Sequence, residues 1–404
     1  MKKFLAVLST LVMVGSLASC GDNSTSSNNS NNDTKTTTAA KEEATEATEA
    51  NNGGEESSSG DKTVGIAMPT KSLERWNRDG EYLKDQFEAA GYKVDLKYSD
   101  NKTEQQNNDI QSMIADKVDL LLIAAIDGDT LSQTLADAKS ANIPVIAYDR
   151  LIMNTDAVSY YVSFDNYTVG KLQGEYVRDA LNLDSEAGPF NIEFTAGDPA
   201  DNNAGYFFNG AYEALEQYIK DGKLKVPSGK TTFEQVATPT WSTDTALANM
   251  QNTLASYYSD GTQLDVALCS NDSTALGVAQ AISSDYSGKN TPIVTGQDGD
   301  IANLQNIVDG KQSMTVYKNV SDEAGVTLDV AKAILSGQTP DGSLSLSAEA
   351  SYDTSSYNNG VKVVPSYLLV PYVITKDSLD KLVDTGLYKW DSDHKYLEST
   401  ASST

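Results

Sequence analysis

The residues of the chain that most clearly suggest a chemistry are the adjacent acid and base Asp149 and Arg150. They follow the apolar run 142–148, which is short, contains Pro144 and is typical of a buried strand in a parallel sheet. In open α/β sheets ligands bind outside the carboxyl ends of the strands, which is where this pair would lie. A carboxylate accepts hydrogen bonds and a guanidinium donates them, so the pair suits neighbouring hydroxyls of a sugar. An ordinary ion pair at a strand end is the alternative.

Polar or aromatic side chains also follow the other strands that apolar runs predict. They offer carboxylates, amides, cations and flat rings, which are the groups that a pyranose needs for its hydroxyls and its C–H faces. An unpaired buried polar group costs about 1 to 3 kcal/mol, so a dry site of this kind would discriminate strongly by hydroxyl pattern. The residues are Arg75, Trp76, Asp201, Asn203, Trp241, Asn271, Asp272, Asp298 and Lys318.

Each of these residues also has an ordinary structural explanation. Asp201, and either Asn271 or Asp272, would cap the helices that follow them. Trp76 would be a core residue, as most tryptophans largely are, and Lys318 would be a solvated strand end. We favour a binding site because six separate strand ends deliver sugar-compatible side chains, whereas capping alone predicts Ser, Thr or Gly as often.

The elements that must position these side chains form two successive α/β series, in which apolar runs alternate with segments of helical period. Among the helices, 320–335 has a regular apolar face and precedes an apolar segment at 361–375. The pattern predicts two parallel-sheet lobes whose strand ends face a single cleft. The predicted strands are 63–68, 92–98, 118–125, 142–148 and 157–163, and then 190–196, 232–237, 264–269, 292–296 and 313–317.

The first sixty residues are of a different kind. Residues 1–20 have a positive start, a short apolar run and the ending Leu-Ala-Ser-Cys, which resembles a bacterial lipobox and implies lipid attached to Cys20. A plain signal peptide with an incidental cysteine is the alternative. Residues 21–62 are Asn, Ser, Thr, Glu and Ala-rich, which predicts a flexible tether. With Cys20 used for lipid, Cys269 is left as a small buried hydrophobe and no disulfide framework is possible.

Charge and composition exclude several classes of function. The 404 residues are enough for two domains, and the net charge of −27 argues against binding to nucleic acid or to anionic lipid. The single histidine, His394, lies near the end of the chain, which removes Ser-His and Cys-His mechanisms and most zinc sites.

Seven short motifs, taken together, resemble one protein family over about residues 63–375. They are Leu-Glu-Arg-Trp at 73–76, Ala-Tyr-Asp-Arg at 147–150, Ser-Phe-Asp-Asn at 163–166, Asp-Asn-Asn-Ala at 201–204, Ser-Asn-Asp at 270–272, Gly-Gln-Asp at 296–298 and Met-Thr-Val-Tyr-Lys at 314–318. This stretch resembles the type I periplasmic sugar-binding proteins of ABC transporters, and within them the xylose-binding and multiple-sugar-binding branch. The resemblance implies sugar contacts from Arg75, Asp149, Arg150, Asn203, Asn271, Asp298 and Lys318, with ring stacking by Trp241, Trp76 and Phe207.

The resemblance also implies an α/β fold of two Rossmann-like lobes joined by three chain crossings. We expect the crossings near Ser163-Phe164, near Tyr317-Lys318 and between Val361 and Ser366. The stretch 342–359 is longer than the family leads us to expect. No counterpart of the galactose-binding branch's calcium loop is found, so no metal or cofactor is expected. The expected division is an N-terminal lobe of 63–163 and 319–363, a C-terminal lobe of 164–318 and 364–395, and a tail of 396–404.

As a function, the resemblance implies an extracytoplasmic, monomeric solute-binding protein. It would capture xylose or a related aldopentose or aldohexose, such as glucose or galactose, and deliver it to the permease and ATPase subunits of an ABC importer. The lipobox-like ending adds an expected lipid anchor on the outer face of the cell membrane, with a periplasmic location as the alternative. A sensory module that presents sugar to a chemoreceptor or sensor kinase would use the same cleft.

Two further classes are less well supported. A glycosidase would need two of Asp149, Asp201, Asp272 and Asp298 as its carboxyl pair. Arg75, Arg150 and Lys318 should keep such carboxylates ionised and leave it without an acid. Sugar-responsive transcription repressors share the fold, but a secretion signal and the lack of a DNA-binding headpiece argue against that class.

Overall fold

The computed structural model describes residues 61–186 and 188–400. The predicted signal peptide, the predicted lipidation site Cys20 and all but the last two residues of the predicted tether lie outside the described residues. Within the described ranges, no helix is both long enough and apolar enough to cross a membrane.

The chain alternates strands and helices from Thr63 onward. The first series is β1 (Thr63–Met68), α1 (Glu74–Ala89), β2 (Lys93–Tyr98), α2 (Thr103–Ala115), β3 (Leu120–Ile123), α3 (Ser132–Ser140), β4 (Val145–Tyr148) and β5 (Val158–Phe164). The second is α4 (Asn166–Ala180), β6 (Phe190–Thr195), α5 (Asn202–Lys220), β7 (Leu224–Lys225), α6 (Phe233–Val236), α7 (Thr243–Tyr257), β8 (Val266–Cys269), α8 (Asp272–Asp285), β9 (Ile293–Val294), α9 (Ile301–Val308) and β10 (Met314–Tyr317). The last is α10 (Val320–Leu335), β11 (Ala350–Asp353), β12 (Ser366–Leu369), β13 (Tyr372–Thr375), α11 (Asp380–Val383), β14 (Tyr388–Trp390) and β15 (Leu397–Ser399).

The N-terminal lobe is built on a seven-stranded sheet of order β11-β12-β5-β4-β3-β1-β2, in which only the edge pair β11–β12 is antiparallel. Helices α1 and α10 cover one face of the sheet and α2 and α3 cover the other. The inner strands, such as Leu-Leu-Leu-Ile in β3, are apolar throughout because both faces are buried.

The C-terminal lobe contains a parallel four-stranded sheet of order β7-β6-β8-β9. Helices α4 and α5 pack on one side of it, and α7 and α8 pack on the other. The antiparallel pairs β10–β13 and β14–β15 extend this lobe around α9, and a bridge between Gln297 and Val316 connects β10 to the end of the sheet.

The chain passes between the lobes three times, between β5 and α4, between β10 and α10, and between β12 and β13. The prediction that the third crossing lies between Val361 and Ser366 is wrong. Strand β12 pairs with β5 from Ser366–Tyr161 to Leu369–Phe164, so it belongs to the N-terminal lobe. The chain crosses only after Leu369, at Pro371, which cannot donate a ladder hydrogen bond.

Two other expectations differ from the structure. The predicted strand 232–237 contains the short helix α6, followed by a 3₁₀ turn at Pro239–Trp241. The predicted tail is not free of structure, because β15 pairs with β14 and the Leu397 side chain is buried. The stretch 342–359 contains β11, which adds an antiparallel strand at the edge of the sheet. The prediction for Cys269 is confirmed, since its side chain is buried in the core of the C-terminal lobe.

Candidate functional site

The polar residues at the strand ends line one cleft between the lobes. The cleft has an empty volume of about 390 Å³, which includes its open mouth. Nine of the ten residues predicted for the site line it, and only Asn203 does not. The predicted residues in the lining are Arg75, Trp76, Asp149 and Arg150 from the N-terminal lobe, with Phe207, Trp241, Asn271, Asp298 and Lys318 facing them.

Arg75 lies in the first turn of α1, and its guanidinium contacts four carboxylates. Its Nη2 atom is 2.7 Å from Asp149 Oδ2 and 3.0 Å from Glu323 Oε2. Its Nε atom is 3.2 Å from Asp79 Oδ2, and its Nη1 atom is 3.2 Å from Asp298 Oδ1 in the other lobe. Burial alone would lower the pKa of Arg75, but the four carboxylates raise the pKa well above its usual value. Arg75 therefore remains a permanent cation at the centre of the site.

Asp149 is positioned by its backbone as much as by its side chain. It has a φ of 57°, in the left-handed region that Asp tolerates better than most residues. Its carbonyl oxygen accepts hydrogen bonds from Asn203 Nδ2 at 2.7 Å, Tyr161 Oη at 2.7 Å and Ser163 Oγ at 2.8 Å. Asn203 is therefore an amide that supports Asp149 from behind, across the lobe boundary, and does not line the cleft.

The charge of Asp149 is set by two cations. Its Oδ2 atom accepts from Arg75 and, at 3.0 Å, from Lys318 Nζ. Burial would raise the pKa of Asp149, but Arg75 and Lys318 outweigh that effect and hold the pKa well below its usual range. The Asp149 carboxylate is thus ionised and can only accept hydrogen bonds.

Arg150 and Asp201 connect the lobes beside this cluster. Arg150 Nε lies 2.9 Å from Asp201 Oδ2, although the N–H is not aligned well enough for a hydrogen bond. The guanidinium also lies 4.9 Å from the Trp76 ring and donates to the Ala125 carbonyl oxygen. Burial raises the pKa of Asp201, and the charge of Arg150 opposes this shift.

Three aromatic rings form the flat surfaces of the cleft. The centroids of Trp241 and Phe207 are 6.2 Å apart, and Trp76 lies under Arg150. Trp241 follows Thr240, and both have φ values in the left-handed region, 55° and 58°. Gly197 makes room for the indole, because a Cβ atom there would lie 1.9 Å from Trp241 Cη2. Trp76 is also a core residue, as the alternative explanation expected, since its side chain is buried in the core of the N-terminal lobe.

The capping alternative holds for some of the same residues. Asn271 accepts a hydrogen bond from the Thr274 amide at the start of α8, and Asp201 accepts from the Asn203 amide at the start of α5. Both residues nevertheless line the cleft. Asp272 does not line it, and its carboxylate lies buried behind Asp298.

Several residues of the site were not predicted from the sequence. Glu323 has no exposed surface and binds Arg75 from behind, as does Asp79. Burial raises the pKa of Glu323 well above its usual value, and the charge of Asp149 adds to this shift. The signal that could have found Glu323 is an acid on the apolar face of α10. Four lining residues were also not predicted, namely Leu73, Ser273, Gln297 and Asp300, whereas Asp201 was expected after its strand.

No group of three or more His, Cys, Asp or Glu side chains in residues 61–186 and 188–400 is arranged to hold a metal ion. The acids of the cleft are paired instead with Arg and Lys.

Comparison with known proteins places this architecture in a family. The model of the periplasmic binding protein domain matches residues 64–339. The chain is a periplasmic binding protein.

Several relatives of this binding protein are similar over most of its length. The multiple sugar-binding periplasmic receptor ChvE of Rhizobium radiobacter is 44% identical over 81% of the chain and 91% of its own length. The D-xylose-binding periplasmic protein of Escherichia coli is 34% identical over 81% of the chain and 91% of its own length. A solute-binding protein from Clostridium phytofermentans, solved with β-D-glucose, is 50% identical with a TM-score of 0.77, covering 82% of the chain and 99% of that structure.

Proposed function

We propose that this periplasmic binding protein captures a monosaccharide in the cleft between its lobes and delivers it to an ABC permease. The observation that carries the proposal is the convergence of Arg75, Asp149, Arg150, Asn271 and Asp298 on one buried cleft, from segments far apart in the chain. They offer carboxylate acceptors, guanidinium donors and an amide, and aromatic rings provide surfaces for the sugar's C–H faces. A neutral ligand rich in hydroxyls matches this combination.

The lobe arrangement supports capture by hinge closure. A sugar that contacts both lobes binds the closed form better than the open form and shifts the population toward it. Lys318 lies at one chain crossing, and its ammonium binds Asp149 of the opposite lobe. Closure of the lobes would enclose the sugar and exclude water from the cleft without any chemical reaction.

The names and bound ligands of the relatives suggest which sugars to test first. The similar protein from Clostridium phytofermentans was solved with β-D-glucose, and one from Chloroflexus aurantiacus, 31% identical with a TM-score of 0.71, was solved with D-glucose. The Escherichia coli relative is named for D-xylose. We propose D-glucose and D-xylose as the first ligands to test, with galactose as a further aldohexose. One relative is called a receptor, and a sensory role would use the same cleft.

A thermal-shift series on residues 61–404 against aldopentoses and aldohexoses tests the proposal. A ligand at a hundred times its Kd stabilises a protein by about 2.7 kcal/mol, which gives an easily measured shift. At least one monosaccharide should produce it. If no monosaccharide moves the melting temperature, the assignment fails.

We further propose that the cleft binds sugar without turnover. Asp149 is held ionised by Arg75 and Lys318, so it cannot serve as the general acid of a glycosidase. Asp201 and Asp272, whose pKa values burial raises, are no better placed, because Asp201 is paired with Arg150 and Asp272 does not line the cleft. Aryl glycosides should therefore release no phenol over hours at micromolar protein, and measurable release would favour the glycosidase alternative.

The proposed location is the outer face of the cell membrane, with lipid on Cys20 and the protein acting as a monomer beside the permease and ATPase subunits. The lipobox-like sequence at 17–20 supports this. Metabolic labelling with a fatty-acid analogue should tag the full chain and not its Cys20→Ala variant. Equal labelling of the two proteins would contradict the anchor.

A further inference from the structure

The loop that carries Asp298, residues 297–300, is held from two directions. Asp298 has a φ of 106°, a backbone conformation that residues other than glycine rarely adopt. Such a conformation persists only where the surrounding structure imposes it. Within the same lobe the loop is held by Asp272, by the Val316 carbonyl oxygen, which accepts from the Asp298 amide, and by Tyr388 Oη, which donates to the Gly299 carbonyl oxygen. From the opposite lobe it is held by Arg78.

Asp272 holds the amide groups of the loop. Its Oδ2 atom accepts from the Gly299 and Asp300 amides, each at 2.9 Å, and from Thr315 Oγ1 at 3.2 Å. Its Oδ1 atom accepts from Gln312 Nε2 at 2.9 Å. All of these partners belong to the C-terminal lobe, so this anchor does not depend on the position of the other lobe.

Arg78 holds the carbonyl groups of the same loop from α1 of the N-terminal lobe. Its Nη2 atom donates to the Asp298 carbonyl oxygen at 2.8 Å and to Asp300 Oδ1 at 3.3 Å, and its Nη1 atom donates to the Gly299 carbonyl oxygen at 3.2 Å. The side chain is only 9% exposed and its guanidinium lies 5.8 Å from the Tyr388 ring. These contacts exist only when the lobes are together.

Glu74 completes the contact between the lobes. It lies one turn before Arg78 on α1 and pairs with it at 3.1 Å. Its carboxylate accepts from the Ile301 amide, the first residue of α9, at 3.3 Å, where the partial positive charge of the helix end favours an anion. Neither Glu74 nor Arg78 lines the sugar cleft.

From these contacts we infer that Arg78 is a positioning residue for Asp298, which it reaches through the backbone of the loop and only in the closed form. The inference rests on the proposed sugar-binding function. Asp272 maintains the loop in both open and closed forms, and Arg78 completes its geometry when the lobes meet. Closure therefore sharpens recognition of whichever sugar hydroxyl Asp298 contacts, through a side chain that never touches the sugar.

The test compares sugar affinity by calorimetry in four proteins: the unchanged chain, Arg78→Gln, Arg78→Lys and Arg178→Gln. Arg178 is a matched control, because it forms ion pairs on the surface of α4 with Glu175 and Asp179, away from the cleft. Arg78→Gln should raise the Kd for D-glucose or D-xylose about tenfold or more, since charged hydrogen bonds are lost. Arg78→Lys should recover part of the loss, and Arg178→Gln should match the unchanged protein. Equal Kd values for Arg78→Gln and the unchanged protein overturn the inference.

Singly deoxygenated analogues of the tighter-binding sugar distinguish positioning from a general aid to closure. The hydroxyl that Asp298 contacts is the one whose removal costs the unchanged protein more affinity than it costs Asp298→Asn. In Arg78→Gln the cost of removing that same hydroxyl should fall, while the costs of the others stay the same. If Arg78→Gln instead binds every analogue more weakly than the unchanged protein by the same factor, the positioning role is overturned.

Two further results separate the possible failures. Urea midpoints without sugar that match between Arg78→Gln and the unchanged protein show that a loss of affinity is not a loss of folding. If Arg78→Gln fails to fold, Arg78→Lys carries the same analogue comparison. If the unchanged protein binds no monosaccharide, the proposed function fails and this inference with it, whereas normal binding by every Arg78 variant overturns this inference alone.

Discussion

Arg150 and Asp201 belong to different lobes, yet Arg150 Nε lies 2.9 Å from Asp201 Oδ2 with both side chains almost completely buried. A charge removed from water needs a partner, so each residue stabilises the other only while the lobes are in contact. The pair therefore belongs to the energetics of closure and not only to the list of groups that face a sugar.

Replacement of Arg150 with Met should weaken sugar binding by at least about 2 kcal/mol, because the buried Asp201 carboxylate loses its counter-ion. That carboxylate is left with hydrogen bonds from the Asn203 backbone amide and Trp241 Nε1. Isothermal calorimetry measures the change. Lys139 offers a matched control, because its pair with Asp156 is more than half exposed and such pairs contribute only about 0 to 1 kcal/mol. Lys139→Met should bind sugar normally. Additive effects of Arg150→Met and Asp201→Asn in the double variant would show that the pair is not coupled.

Trp241 should report sugar binding through its fluorescence. The chain has three tryptophans, Trp76, Trp241 and Trp390, and only the first two line the cleft. Sugar should change the emission of the unchanged protein and of Trp390→Phe alike. In Trp241→Phe most of the change should disappear, with a several-fold higher Kd because a smaller ring stacks on the sugar. A full signal in Trp241→Phe would remove this ring from the site.

Gly197→Ala should displace the Trp241 ring, since the added methyl carbon would lie 1.9 Å from Cη2. We expect a loss of sugar affinity of tenfold or more and a lower melting temperature, because overpacking costs about 1 to 3 kcal/mol. Gly205 on α5 is the control, because a Cβ there meets nothing within 4 Å. Gly205→Ala should be neutral or slightly stabilising. Unchanged affinity in Gly197→Ala would mean that the ring's position does not matter for binding.

Asp272 should make the stability of the sugar-free protein depend on pH. Burial raises its pKa to about 7, with a further contribution from the charge of Asp298, against about 3.9 in an unfolded chain. Between these two values the folded protein holds a proton that the unfolded chain has lost. Stability should therefore fall as pH rises from about 4 to 7, and be level above that range for this group.

Urea unfolding of the unchanged protein and of Asp272→Asn at pH 5.5 and pH 8 tests this dependence. The variant cannot titrate at this position, so the difference between its two midpoints should be smaller than in the unchanged protein. Asp201, Glu323 and Asp300 also have raised pKa values from burial and leave some dependence in both proteins. The same pH dependence in both proteins would show that Asp272 does not titrate in this range.

The sequence predicted those residues of the site that lie just after the strands. Asp149, Arg150, Asn271, Asp298 and Lys318 come directly after apolar runs, and parallel-sheet geometry alone directs such residues to one edge. The family resemblance added Phe207, which follows no predicted strand and lies within α5.

The parts that the sequence did not predict depend on tertiary contacts. Glu323 is an acid on the apolar face of α10, but only the packing of α10 against α1 shows that Arg75 is its partner. The apolar segment 361–375 shows no boundary at Leu369, so pairing of β12 with β5 could not be foreseen and the third crossing was placed too early. Asn203, a predicted sugar contact, does not line the cleft, and its side-chain amide donates to the Asp149 carbonyl oxygen.

The burial of Cys269 has a practical consequence. Its side chain has no exposed surface, and burial raises the pKa of the thiol well above its usual value, so thiol reagents should not modify it. A protein that begins at residue 61 thus has no reactive sulfhydryl among the residues that the structure covers. One cysteine engineered at the cleft rim would accept a single dye molecule, and its emission would convert lobe movement into a reagentless optical readout of sugar concentration.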